Sequence, residues 1–204
     1  ELWAYVPYNL LPHLYWLTEP GYDHVYYCDL KPKVFDAKVL PDDTHYTDGD
    51  TNPNWGTFLV AGMRLGGGEI VADLDKTDGS SVQDVDRTMT SAYFILDITD
   101  PEKPPSVIAE LSFEHQGYTT CYPAVIPMKD KSGGSINENE WYLIFGSGPA
   151  DANGTAGTSA SVSLGDAIST QEGKLYVVDM KALVKDGELK RYWVRPRWEG
   201  LGNR

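Results

Sequence analysis

The chain has 204 residues, 41% of them hydrophobic and 23% charged, ordinary proportions for a globular protein long enough to bury a core. Its 30 acidic residues against 17 basic ones leave a net charge of −13, which repels phosphate backbones and anionic lipid and argues against nucleic-acid or membrane-surface binding. No apolar run reaches the length of a bilayer span, and 20 Gly, 13 Pro and 13 Tyr favour strands and turns over helices.

In chain order, residues 1–6 alternate well enough to predict a strand, which Pro7 ends. Residues 9–17 predict a short helix, with Asn9 as cap, Pro12 in the first turn and Leu10, Leu11, Leu14 and Leu17 apolar. Residues 24–30 and 33–39 read as strands, and an acidic, proline-bearing loop follows over 41–54. Residues 57–61 form a short apolar run that leads into Gly66-Gly67-Gly68. Those glycines favour a buried strand entering a turn, because they destabilise a helix and permit positive φ. Strand continues over 69–72, and 73–87 is a polar insertion. An apolar strand at 91–98 is closed by Asp100-Pro101 and Pro104-Pro105. Residues 107–113 alternate, with Ala109, Leu111 and Phe113 on one face.

The same order then returns at 122–126, 142–145, 174–180 and 189–194. Matching Gly62 to Gly146 gives an offset of 146 − 62 = 84 residues, and matching Asp97 to Asp179 gives 179 − 97 = 82. Four-stranded units laid down in series are the signature of a β-propeller, whose blades each need a neighbour on both faces. The expected fold is all-β: a partial, quinoprotein-like β-propeller of two complete four-stranded blades plus a strand of a preceding blade. Residues 1–30 are assigned to the end of that preceding blade and a linker helix. Residues 31–116 and 117–196 are the two blades, and 197–204 begin a following segment. A two-sheet sandwich would also use eight strands, but it does not predict one strand order twice. Two blades are fewer than a ring needs, so the chain is expected to be a piece of a longer protein.

Few residues announce chemistry. Cys28 and Cys121 each stand beside a tyrosine in a strand-like segment; buried thiols and a single disulfide both remain open. The glycines at 62–68 lack the spacing and the following Lys-Ser/Thr of a phosphate loop, and Gly146-Ser147-Gly148 lacks the spacing of a nucleophile elbow. His13, His24, His45 and His115 form no pair at metal-ligand spacing. Asp29, Asp97 and Asp179 end apolar strands alike, which suits caps of strand-to-turn corners better than a ring of functional carboxylates. Asp151-Ala152-Asn153-Gly154-Thr155 fits a glycosylation acceptor.

Several stretches share their wording with a known family. Leu2-Trp-Ala-Tyr-Val-Pro-Tyr-Asn-Leu-Leu-Pro-His-Leu14, His24-Val-Tyr-Tyr-Cys-Asp-Leu30, Leu59-Val-Ala-Gly-Met-Arg-Leu-Gly-Gly-Gly68 and Tyr93-Phe-Ile-Leu-Asp-Ile-Thr-Asp-Pro-Glu102 resemble the C-terminal propeller of the PilC/PilY-type tip adhesins of type IV pili. Tyr122-Pro-Ala-Val125 and Trp141-Tyr-Leu-Ile-Phe-Gly-Ser-Gly-Pro149 continue the likeness. The resemblance implies an exported, non-enzymatic protein at the cell surface, acting at the pilus tip with minor pilins and with host or abiotic surfaces. A quinoprotein-like periplasmic oxidoreductase is the alternative that the same propeller class allows.

The family also implies a calcium loop. Asp48, Asp50 and Asn52 place oxygen ligands at its first, third and fifth positions, as a hard cation requires. Pro53 then stands where glycine is wanted, and Leu59 where a bidentate acid would sit. A second match, Asp73, Asp75 and Thr77 with Asp84 at the twelfth position, carries Asp78 in the glycine slot. Solvated surface acid is the plain reading of both.

Overall fold

The computed structural model describes residues 2–41, 54–74, 86–113, 115–130, 137–149, 173–186 and 191–194. Among these residues, ten strands fall into two four-stranded antiparallel sheets and one hairpin. The first sheet is β1 (Lys33–Lys38), β2 (Trp55–Gly62), β5 (Tyr93–Asp97) and β6 (Ser106–Leu111), in that spatial order. Between β2 and β5 the chain makes the hairpin β3 (Ile70–Asp73) and β4 (Asp86–Met89). The second sheet runs β7 (Ala124–Asp130), β8 (Asn137–Gly146), β9 (Leu175–Asp179) and β10 (Arg191–Val194), again each strand beside the next. The fold is thus all-β, built from two antiparallel meanders with one strand order, and neither sheet closes on itself.

The register repeats along with the order. Phe58 faces Asp97, Val60 faces Ile95 and Gly62 faces Tyr93. In the second sheet Tyr142 faces Asp179, Ile144 faces Val177 and Gly146 faces Leu175. Since side chains alternate across a strand, this equivalence defines matching faces on the two sheets. On the first sheet, Phe58, Val60, Tyr93 and Ile95 lie on what we term the front; Leu59, Ala61, Phe94 and Leu96 lie on the back.

The main core joins the front of the first sheet to Leu143, Phe145, Tyr176 and Val178 of the second. Their counterparts in the first sheet are Leu59, Ala61, Phe94 and Leu96, so the second sheet contributes its back. The sheets therefore stack head to tail, front on back, and do not bring like faces together. Aromatic rings fill the seam: Tyr93 and Phe145 lie 4.3 Å apart between centroids, and Phe113 stacks on Tyr176 at 4.8 Å. Helix α1 (Met180–Asp186) adds Met180 and Leu183 to the same core.

Three expectations need correction. Residues 2–7 do not form the expected strand of a preceding sheet; they run as an extended segment whose Tyr5 ring packs on Phe94 at the back of the first sheet. Their backbone joins no ladder because a side chain, Glu110, holds the segment instead. Residues 24–30 are not a strand either, and the Leu30 N–H bonds to the Gly62 carbonyl at the end of β2. Residues 180–186, expected to continue toward a turn, form α1, since the Asp179 carboxylate accepts the Ala182 N–H at 3.0 Å and starts a helix there. The helix expected over 9–17 is present as the 3-10 helix Tyr8–Thr18, but Pro7 precedes it, Asn9 lies inside it and is not its cap, and Pro12 is its fifth residue.

Candidate functional site

Among the described residues, the joint between the two sheets is densely hydrogen-bonded. It is built from the turn after β2, the strand entry at residues 90–92 and the connector at 115–123. Thr119 is fully buried, and its hydroxyl oxygen accepts the N–H groups of Met63 and Arg64, each at 2.9 Å. Ser91 completes the group, with Oγ 3.1 Å from Thr119 Oγ1 and accepting the Thr119 N–H at 3.2 Å. Gln116 accepts the Phe113 N–H and donates to the Ser91 carbonyl. On the other side, Gly117 and Tyr118 donate to the Ser147 and Pro149 carbonyls just beyond β8. The connector thus stitches the end of one sheet to the end of the next.

Glycines make this close approach possible. A Cβ on Gly148, where φ is +68°, would lie 1.8 Å from the Tyr118 carbonyl oxygen. Around the glycine turn a cleft of about 90 Å³ opens, lined by Gly67–Glu69, Thr90, Ser91 and Gln116–Tyr118. His13 bonds to the glycine turn, its Nε2–H donating to the Gly68 carbonyl at 2.9 Å. Burial holds the His13 pKa below its ordinary value, partly offset by that carbonyl, so the ring is neutral at pH 7. The Ser91 and Gln116 side chains are engaged in holding the joint, which makes the cleft an architectural feature first.

A second polar centre fixes the N-terminal segment. Glu110, on the back of β6, accepts the Tyr5 hydroxyl and the Tyr8 N–H on one oxygen. Its other oxygen accepts the Asn9 N–H at 3.1 Å and the Asn9 side-chain amide at 2.7 Å. A carboxylate against the first N–H groups of the 3-10 helix satisfies donors that the helix itself leaves open. Burial and the Glu110 carboxylate raise the Tyr5 pKa; partial desolvation of an otherwise exposed Cys28, with the Glu110 charge, pushes that thiol up to about 11, so it is protonated at neutral pH.

The residues singled out by sequence fall as follows. Asp48, Asp50 and Asn52 lie outside the described residues, as do Asp75, Thr77, Asp78, Asp84 and the acceptor Asn153. The hairpin sets Asp73 directly across from Asp86. Among the described residues, no group of three or more His, Cys, Asp or Glu could hold a metal ion. Cys28 and Cys121 are free thiols, Cys28 exposed and Cys121 half-buried, so neither the disulfide nor two buried thiols is found.

Asp97 accepts both the N–H and the hydroxyl of Thr99, Asp179 caps α1, and Asp29 pairs with Arg64 at 2.6 Å. The first two are turn and helix caps, and the three do not form a ring of carboxylates. Sequence reading missed Glu110 and Thr119. Neither belongs to a local motif, since each acts on partners tens of residues away, and only the fold brings these groups together.

The fold and its joints define the class: an all-β chain of two head-to-tail antiparallel sheets tied by buried hydroxyls. Comparison then gives a relative. Over 161 residues, 76% of this chain, it is 32% identical to the type IV pilus biogenesis factor PilY1 homolog of Xylella fastidiosa strain Temecula1. The chain is similar to the PilY1-type proteins, as its motifs indicated, and it spans 8% of that relative's length. No protein-family model and no solved structure matches it.

Proposed function

We propose that this chain is a non-enzymatic β-propeller segment of a type IV pilus tip factor, supporting pilus biogenesis and surface attachment. The observation that carries the pilus role is the 32% identity to a PilY1 homolog over most of the chain. The head-to-tail stacking supports the propeller, because only front-on-back contacts can be repeated around an axis. In this reading the strands are scaffold and the connections present recognition surfaces to minor pilins and to host or abiotic material. The protein acts outside the cell, at the pilus tip, after export through the periplasm.

The test is genetic. Deleting the codons for residues 33–194 in frame from the native gene should sharply reduce surface pili recovered by shearing, and attachment with them. Normal piliation and attachment in that strain, with the shortened protein still exported, would overturn the reading.

Calcium at Asp48, Asp50 and Asn52 belongs to the same proposal, resting on the spacing of those oxygen ligands. Titration calorimetry should show calcium heat that Asp50→Asn removes, and chelator should lower the melting temperature. If neither appears, these acids are solvated surface.

A further inference from the structure

The N-terminal segment turns one face to the core and leaves a second, aromatic face bare. Tyr15 is 63% exposed, Trp16 45%, Leu17 56% and Tyr22 37%. The Tyr15 and Trp16 rings meet edge to face at 6.1 Å. Tyr27 donates to the His13 carbonyl and the Tyr22 N–H bonds to the Glu19 carbonyl at 3.2 Å, which hold Tyr22 at the end of the 3-10 helix. Single exposed rings are common, whereas a contiguous set of this kind marks an interaction surface.

Charge selects the partner. Residues 2–30 contain no lysine or arginine, while Glu19 and Asp23 carry negative charge; Asp29 is already paired with Arg64. The same segment already shows how it takes a cation, for the Arg87 guanidinium lies 4.9 Å above the Tyr8 ring centre. Lys33 sits over Tyr122 in the same manner at 5.1 Å. Open ring faces bordered by carboxylates attract guanidinium and ammonium groups, and a net charge of −13 steers such a partner inward while repelling anionic lipid and nucleic acid.

We infer that the face formed by Tyr15, Trp16 and Tyr22 docks a cationic polypeptide segment, with arginine preferred over lysine because a planar guanidinium stacks on rings. Labelled octa-arginine, octa-lysine and octa-glutamate peptides, titrated into the full chain near physiological salt, provide the probes. Octa-arginine should bind best and octa-glutamate not at all. The double variant Tyr15→Ser/Trp16→Ser keeps every charge and alters exposed positions only; it should lose about tenfold in affinity for octa-arginine, while Tyr122→Ser, at an exposed ring outside the N-terminal segment, keeps it.

Equal binding by the parent chain and the double variant would mean that bulk charge alone attracts the peptide, and would overturn the inference. A concentration-dependent dimer abolished by the double variant would overturn it in favour of a second copy as occupant. Binding of phosphatidylglycerol vesicles through the same residues would overturn it in favour of a lipid surface.

Discussion

Gly66 sits where a methyl group has no room. A Cβ there would lie 2.2 Å from the Tyr27 carbonyl oxygen and 2.6 Å from that of Tyr26, both backbone atoms that cannot swing aside. Gly66→Ala should therefore destabilise the chain by about 3 kcal/mol in urea unfolding, the upper range for overpacking. Gly68→Ala, whose nearest neighbour is the Tyr118 hydroxyl at 3.6 Å, should stay within about 0.5 kcal/mol.

His13, beside the same turn, links this joint to pH. Its folded pKa is depressed below the ordinary 6.5 by burial, so the unfolded chain takes up a proton first as pH falls. The stability it contributes is present above 6.5 and is lost as pH drops toward the folded pKa. The melting temperature should fall between about pH 7.5 and 5.5, and His13→Gln should flatten that part of the profile. An unchanged slope in the variant would show that other groups set it.

Among the elements, the N-terminal segment depends most on one contact. Glu110 receives four donors from Tyr5, Tyr8 and Asn9, and hydrogen bonds to a charged acceptor are worth more than neutral ones. Glu110→Gln turns an amide NH₂ toward N–H groups and should cost about 2 kcal/mol. Limited proteolysis should show the loss as faster cleavage near residues 2–18, with the sheets protected.

This element also shows where sequence reading reached its limit. The eight sheet strands were legible because each carries an apolar run or an alternation bounded by turn residues, and because the pattern recurs after 84 residues at Gly62 and Gly146. Residues 2–7 carry a similar alternation, yet what holds them is a glutamate a hundred positions away, which no local pattern reveals. Helix α1 was within reach: Asp179 precedes Met180-Lys181-Ala182-Leu183, a cap before good helix formers, but the apolar strand leading into it masked the signal. At the joint, the glycines were conspicuous in sequence, whereas the buried Thr119 that bonds beneath them was not.

For the whole molecule, head-to-tail stacking makes the two sheets chemically alike and energetically unequal. Phe58, Val60, Tyr93 and Ile95 on the front of the first sheet are each 0% exposed, because the second sheet covers them. On the front of the second sheet Ile126 is 41% exposed, Met128 50% and Leu175 38%, and Ile144 and Val177 are partly open. Removing methyl groups from a packed face costs transfer free energy plus a cavity, whereas an open face loses little of either. Val60→Ala should therefore cost about 2–3 kcal/mol in this chain, and Ile144→Ala, at the matching register position, less than about 1. The inequality follows from which face has a neighbour, since strand order and register are shared. In a longer polypeptide that supplies a further sheet against Ile144, the Ile144→Ala cost should rise to match that of Val60→Ala. If the two substitutions cost the same in the present chain, the second sheet's front is covered already and head-to-tail stacking has no open end there. If Ile144→Ala remains mild in the longer polypeptide, the sheets do not continue as a propeller.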